Sequence, residues 1–353
     1  MIIKKGKSIM SYDLYEDKVR KNKKERVDKY ENQYSKYCDF VYYESSKTPG
    51  LRLAMRILKP EKPSYILAGT HGWHMSIPDY KEIEQPLENV RYLTLQVEMR
   101  GRAFSDGSPD CNGWELYDVI DAVNYARKYY KEYIIDEEVV YFEAGSGGGG
   151  NAYAILGKFP DFFAAVTVFY GISDYGTWYE NDKIAEFSDE MDIWVGANPK
   201  ENLMAYQARS GLYTIENLYT HVYIAHGDND LRVPVDHARR YVELGKELGK
   251  GHLIKYMELK GVGTRDHLGN ATKEQIESME IFSEQNRLNN RVPVNIPTKG
   301  KMVVAGYLYT KEFSLILDSI DKMAILEYDL ENELYKVMCD VDCDYKLIKH
   351  SRR

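Results

Sequence analysis

The stretch Tyr141-Phe-Glu-Ala-Gly-Ser-Gly-Gly-Gly-Gly150 leaves one serine standing among glycines, directly after the apolar run Val139–Glu143. A short β-branched and aromatic run of that kind reads as a buried strand, and the residues Gly149–Gly157 that follow read as a helix. Ser146 is therefore expected on a tight turn between strand and helix. Such a turn strains the serine backbone and draws the helix close, so small neighbours are required. Ala144 and Gly148, two residues to either side, meet that need. The helix start would aim backbone N–H groups and the positive end of a helix dipole at the hydroxyl, which favours the charge that develops in acyl transfer. Ser146 is thus a candidate nucleophile.

The same glycines also satisfy a dinucleotide-binding spacing, Gly145-x-Gly147-x-x-Gly150, since glycine turns at helix starts hold phosphates for the same reason. Two features count against it. No acidic residue closes a strand about 20 residues further on, and the turn lies mid-chain rather than in a first βαβ unit. No Lys-Ser/Thr follows the glycines, which excludes a P-loop. A dinucleotide-binding oxidoreductase stays as a remote alternative.

Outward from this turn, strand patterns alternate with helical ones: strands near 65–69, 92–98, 139–143, 164–170, 221–226 and 253–259, helices near 114–130, 149–157, 235–248 and 273–287. That rhythm calls for a mainly parallel sheet covered on both faces by helices. Two further strands, Cys38–Tyr43 and Leu51–Leu58, flank the turn cluster 45–50 and read as a hairpin. The expected organisation is an N-terminal helical extension over 1–37, from a charge-rich helical pattern at 12–37, and an α/β domain over 38–290. A small β-rich appendage over 291–353 completes it. The stretch about 174–213 breaks the alternation and carries Trp178, Tyr179, Trp194 and Tyr206. It is read as a cap-like insertion over the carboxyl ends of the strands, where open α/β sheets bind ligands.

At 353 residues the chain exceeds the size at which single cores usually stop growing, so two unequal domains are expected. The formal net charge of -8 argues against nucleic acid or an anionic membrane as the main partner. The basic run Lys18–Lys29 is diluted by Glu25 and Asp28 and reads as a solvated helix face. No apolar stretch reaches the roughly 20 residues of a membrane span, and no apolar region follows the basic start, so the chain is read as cytoplasmic. Cys38, Cys111, Cys339 and Cys343 lack a metal-ligand spacing, and the last two read as ordinary strand-end residues. No cofactor and no metal are expected.

A serine hydroxyl needs a general base, and the base needs a carboxylate to fix its tautomer. Asp230 lies in His226-Gly-Asp-Asn-Asp-Leu-Arg-Val-Pro234, a loop after an apolar strand, and His267 follows the strand 253–259. Asp174 and Asp228 are rival acids. Serine, acid and histidine in that order, each after a later strand, combine three weak signals into one stronger one.

At this point the chain resembles the α/β-hydrolase superfamily, and within it the esterases and the serine peptidases akin to prolyl oligopeptidase. The resemblance rests on Ala144-Gly-Ser-Gly-Gly-Gly149, on His226-Gly-x-x-Asp230-x-x-Val-Pro234, on His267 and on Arg100-Gly-Arg-Ala-Phe-Ser105. It covers about Leu51 to Asn290; Ala144 stands where the family usually has glycine. The resemblance implies an oxyanion hole made by the backbone N–H of Gly147 and a second donor in Thr70-His-Gly-Trp-His74, Trp73 or Gly72. A rival reading makes His71 and His74 metal ligands, but three convergent ligands are the usual minimum.

The expected reaction is acyl transfer from a substrate to Ser146, then hydrolysis of the acyl-enzyme. The peptidase relatives shield their sites with a large N-terminal propeller, and fewer than 70 residues precede the third strand. A carboxylic ester hydrolase is therefore expected, on small-molecule or acylated carbohydrate esters, with a prolyl-oligopeptidase-like peptidase on small peptides as the alternative. The β appendage leaves three roles open: pairing subunits into a homo-oligomer, supporting the cap or binding polymer.

Overall fold

Period-two alternation along the strands places apolar side chains on both faces of one large sheet. The computed structural model describes residues 31–182, 186–339 and 341–350. Nine strands, β1 (Gln33–Tyr34), β2 (Cys38–Glu44), β3 (Arg52–Leu58), β4 (Ile66–Thr70), β5 (Leu93–Val97), β6 (Val140–Gly145), β7 (Ala165–Phe169), β8 (His221–Gly227) and β9 (Ile254–Leu259), pair in the order β1-β2-β3-β5-β4-β6-β7-β8-β9. From β5 to β9 every pairing is parallel, and β1, β2 and β3 add an antiparallel edge.

Seven helices occur among the described residues: α1 (Glu115–Tyr129), α2 (Gly147–Lys158), α3 (Tyr175–Asn181), α4 (Ser188–Val195), α5 (Leu203–Gln207), α6 (Asp236–Glu247) and α7 (Lys273–Asn289). Val140, Phe142, Val222 and Ile224 face a core shared with α1, α2 and α6. Tyr223 and Ala225, one residue out of phase, face Met279 of α7 instead. Both faces are thus covered, as a parallel sheet requires. No helix among the described residues is long and apolar enough to cross a membrane.

The helical pattern read over 12–37 does not hold at its end. Gln33 and Tyr34 pair with Phe40 and Asp39 as β1, because this segment meets an open sheet edge; residues 12–30 of that reading lie outside the described residues. The cysteine reading is corrected as well. Cys339, the last residue of β14, and Cys343, in the connection to β15, form a disulfide, their Cα atoms 6.4 Å apart.

After α7, β10 (Lys299–Ala305), β11 (Tyr307–Tyr309), β12 (Phe313–Leu317), β13 (Met323–Asp329), β14 (Leu334–Cys339) and β15 (Tyr345–Lys349) form a second, antiparallel sheet in the order β14-β13-β10-β11-β12-β15. β10 and β11 are divided at Gly306, whose φ of +71° and contact with the Ile320 backbone admit no side chain. The sheet curls so that its edges meet: Lys349 of β15 pairs with Glu333 beside β14 at 2.7 Å. Met302, Val304, Leu308, Phe313, Leu315 and Leu326 fill the inside.

The two sheets share a seam. The Tyr307 ring stacks on Trp114 at 5.1 Å, and the fully buried Asn217 bonds Gly157 O, Val303 O and Val303 N. Lys158, at the end of α2, is buried and donates to Ala305 O. Burial first, and then the neighbouring Arg209 charge, lowers its pKa from 10.5 to about 7.

Asn217→Ala leaves three buried backbone groups unpaired, and a loss of about 2–4 kcal/mol is expected, read as a lower denaturant midpoint. For Lys158 the folded chain holds fewer protons than the unfolded chain between about pH 7 and about pH 10, so stability rises with pH across that window. Lys158→Met removes that rise. Denaturant midpoints of the two proteins that run parallel from pH 7 to pH 9 would refute the assignment.

Candidate active site

Ser146 is the first residue beyond β6 and the N-cap of α2, with φ 58° and ψ −124°. This backbone conformation is costly for any residue with a side chain. It makes no side-chain cap bond to the helix, so its hydroxyl stays available. The glycines around it are explained by close approach. A Cβ on Gly147 would stand 2.6 Å from Trp73 N, one on Gly148 2.8 Å from Thr70 O, and one on Gly149 2.6 Å from Gly171 Cα. These positions are filled by protein backbone, which removes the main support for a phosphate cradle.

Asp230 follows β8 and His267 follows β9, and the structure brings both to Ser146. The Ser146 hydroxyl donates to His267 Nε2 at 2.9 Å, and His267 Nδ1–H donates to Asp230 Oδ2 at 2.6 Å. Asp230 Oδ1 also accepts the Arg232 and Val233 amides, at 2.9 and 3.0 Å. Burial alone would raise the Asp230 pKa. Hydrogen bonds from His226 and His267, the His267 charge and the Val233 amide outweigh burial and hold the carboxyl well below its usual range.

The rival acids are engaged elsewhere. Asp174 caps α3 through the Gly176 and Thr177 amides, and Asp228 accepts the Gly261 amide. His71 bonds Gly72 O and the Met99 amide, while His74 turns to Glu190 at 2.8 Å. The two histidines therefore face different partners. Of the loop Thr70–His74, Trp73 brings its backbone N against Gly147, and Gly72 lies near the Ser146 Cβ. Among the described residues neither the Gly147 nor the Trp73 amide donates to a protein acceptor. That leaves two donors side by side next to the serine.

Sequence reasoning missed several residues. Tyr170, one step beyond β7 with φ 40°, lays its ring on the His267 imidazole, centroids 4.5 Å apart and planes within 9°. His226 Nε2 lies 3.5 Å from Asp230 Oδ2, behind the acid. The insertion supplies an aromatic cluster in which Trp73 meets Trp178 and Trp194, at 5.0 and 4.7 Å. Its Glu186 bridges Arg232 of the Asp230 loop and Arg265 of the His267 loop, at 3.0 and 2.5 Å. A cavity of about 190 Å³ opens between insertion and loops, lined by Trp178, Phe187, Leu231, Arg232 and Arg265 among others. The only sequence signal for these contacts was the aromatic content of 174–213.

Residues 97–286, more than half of the chain, match the model of the prolyl oligopeptidase family. Among curated proteins the chain is similar to the prolyl endopeptidase of Dictyostelium discoideum, 22% identical over 275 residues, covering 70% of this chain and 35% of that one. It is also similar to the uncharacterized peptidase YuxL of Bacillus subtilis (strain 168), 29% identical over 151 residues, 40% of this chain and 21% of that one. The chain thus spans about a third or less of the length of these relatives. Among solved structures, an acylaminoacyl peptidase of Pyrococcus horikoshii superposes with a TM-score of 0.59 at 19% identity, covering 74% of this chain and 43% of that one. A puromycin hydrolase superposes with a TM-score of 0.56 at 15% identity, 75% and 41%. These superpositions show the α/β-hydrolase fold. The expected ester hydrolase acting on acylated carbohydrates is overturned by the family match and by two curated relatives that are peptidases. A propeller governs access to the site, and access does not decide which bond a serine triad cuts. The chain belongs to the prolyl oligopeptidase family of serine hydrolases.

Proposed function

We propose that this chain is a serine peptidase of the prolyl-oligopeptidase type, acting on small peptides by acyl transfer to Ser146. The continuous hydrogen-bond chain from the Ser146 hydroxyl through His267 to Asp230, with two unspent amides beside it, carries the serine-hydrolase part of this reading, and the match to the prolyl oligopeptidase family supports the choice of a peptide bond. His267 Nε2 takes the hydroxyl proton as Ser146 Oγ attacks the scissile carbonyl, and Asp230, held as a carboxylate, steadies the imidazolium. The Gly147 and Trp73 amides hold the oxyanion of the tetrahedral intermediate. The intermediate expels the amine, which takes its proton from His267, and water then resolves the acyl-enzyme by the same route. No cofactor enters this scheme. The cavity beside the Asp230 and His267 loops, whose lining does not include Ser146, offers apolar contact through Trp178, Phe187 and Leu231 to substrate groups remote from the scissile bond. We further infer that the chain divides near residue 290 into a hydrolase unit, carrying the insertion at 174–213, and a β-rich unit.

Ser146→Ala is expected to abolish labelling by a fluorophosphonate and to lower peptidase turnover by about 10⁴-fold or more. The reading is tested on peptidyl anilides beside aryl esters of matched acyl group. Wild-type protein that cleaves the esters and none of the anilides would sink it. Tyr170→Leu is expected to lower kcat about 2- to 10-fold, the value of one ring contact that aligns His267, while Tyr170→Phe keeps the wild-type rate. Equal rates in all three proteins would show that the ring does not position the base.

A further inference from the structure

The loop that carries Trp73 has little backbone structure of its own. Residues 71–91 form neither helix nor strand, and a single turn bond, Met75 N to Gly72 O, closes the part next to Ser146. Its position must be set by side chains. Glu98, buried after β5, holds it further along through Ser76 and the Ile77 amide; at Trp73 the residue that holds it comes from the insertion, Glu190 of α4, 3% exposed. One Glu190 oxygen accepts the Trp73 indole N–H, and both oxygens lie within hydrogen-bond distance of His74 Nε2, at 2.8 and 2.9 Å. The His74 ring stacks on Phe187, the N-cap of α4, at 5.3 Å. A buried carboxylate is costly unless its lone pairs are matched, so Glu190 favours one placement of both donors.

We propose that Glu190 is a positioning residue for the reaction: by holding the Trp73 and His74 side chains, it fixes the Trp73 amide against Gly147 and so sets the geometry of the oxyanion hole. The inference rests on the serine-hydrolase reading above and deepens it. Trp73 links the buried carboxylate to the reaction centre, since its indole N–H meets Glu190 while its backbone N lies against Gly147 of the nucleophile's turn. The same insertion reaches the other two loops of the site through Glu186, which pairs with Arg232 and Arg265. Glu190 touches no reacting atom, and its effect is transmitted through the loop.

The test compares wild type, Glu190→Ala, Glu190→Gln and Trp73→Phe, the last losing the indole N–H while keeping an aromatic ring. Phosphonylation of Ser146 by a fluorophosphonate reads the oxyanion hole without reference to any natural substrate, and kcat and KM on a peptidyl anilide read turnover. Glu190→Ala is expected to slow phosphonylation and kcat about 10- to 100-fold with KM within about twofold, since small misplacements of a donor are expensive in the transition state alone. Glu190→Gln retains one acceptor oxygen and falls between. Trp73→Phe slows phosphonylation as well, and the double variant is no slower than the worse single one, because both remove one linkage. Labelling of Glu190→Ala at the wild-type rate, or a loss confined to KM, would overturn the inference. Should Glu190→Ala not fold, wild-type labelling of Trp73→Phe overturns it equally. Wild-type protein that is never labelled would instead strike the serine-hydrolase reading beneath it.

Discussion

Three loops must meet at one end of one sheet. Strands β6, β7, β8 and β9 are neighbours, and their registers place Gly145 beside Phe169, Phe169 beside Ala225 and Ala225 beside Met257, so β6 and β7 end level and β8 and β9 run two residues further at the same edge. Adjacent strands lie about 4.8 Å apart, so the outer two are separated by about 14 Å, too far for a serine and a histidine to touch directly. The loop after β9 must therefore fold back across the ends of β8 and β7. Asp230 at the end of β8 is the electrostatic landing for its histidine, and the Tyr170 ring at the end of β7 is the flat surface beneath it. Antiparallel pairing anywhere among these four would send one of the three groups to the opposite edge.

Much of this could be read from the chain because it is local. Apolar runs alternate with helical patterns, and the serine, acid and histidine each follow a strand, so order along the chain maps onto position along the sheet edge. The choice of Asp230 over Asp174 and Asp228 was not local. All three carboxylates accept turn or cap amides, and only Asp230 also presents an oxygen to His267, which requires the folded neighbours. Glu190 and Tyr170 were invisible for the same reason: their partners are about a hundred residues away, and a glutamate on a short helix or a tyrosine at a strand end carries no pattern. The bond to be cut lies further still from the sequence pattern. Esters and amides pass through the same tetrahedral geometry, so the triad by itself does not distinguish them.

Buried charge holds the frame around the site. The Arg100 guanidinium meets both oxygens of Asp118 at 2.7 Å, tying the loop after β5 to α1. Two residues on, the Arg102 guanidinium lies 4.3 Å over the Trp194 ring of the insertion. The segment Arg100–Ser105 thus anchors inward with its first arginine and packs against the Trp194 ring with its second. Broken pairs of this kind are severe because one ion is left behind without a partner.

The dihedral angles of Ser146 carry a last consequence. Only glycine adopts them freely, so the hydroxyl is presented at a standing cost of about 1–3 kcal/mol in a fold whose whole margin is about 5–15 kcal/mol. Glycine at position 146 would make this turn most stable, completing an unbroken run of six from Gly145 to Gly150, and that chain would have nothing to attack with. Reactivity and stability here draw on the same two backbone angles, and they pull them in opposite directions.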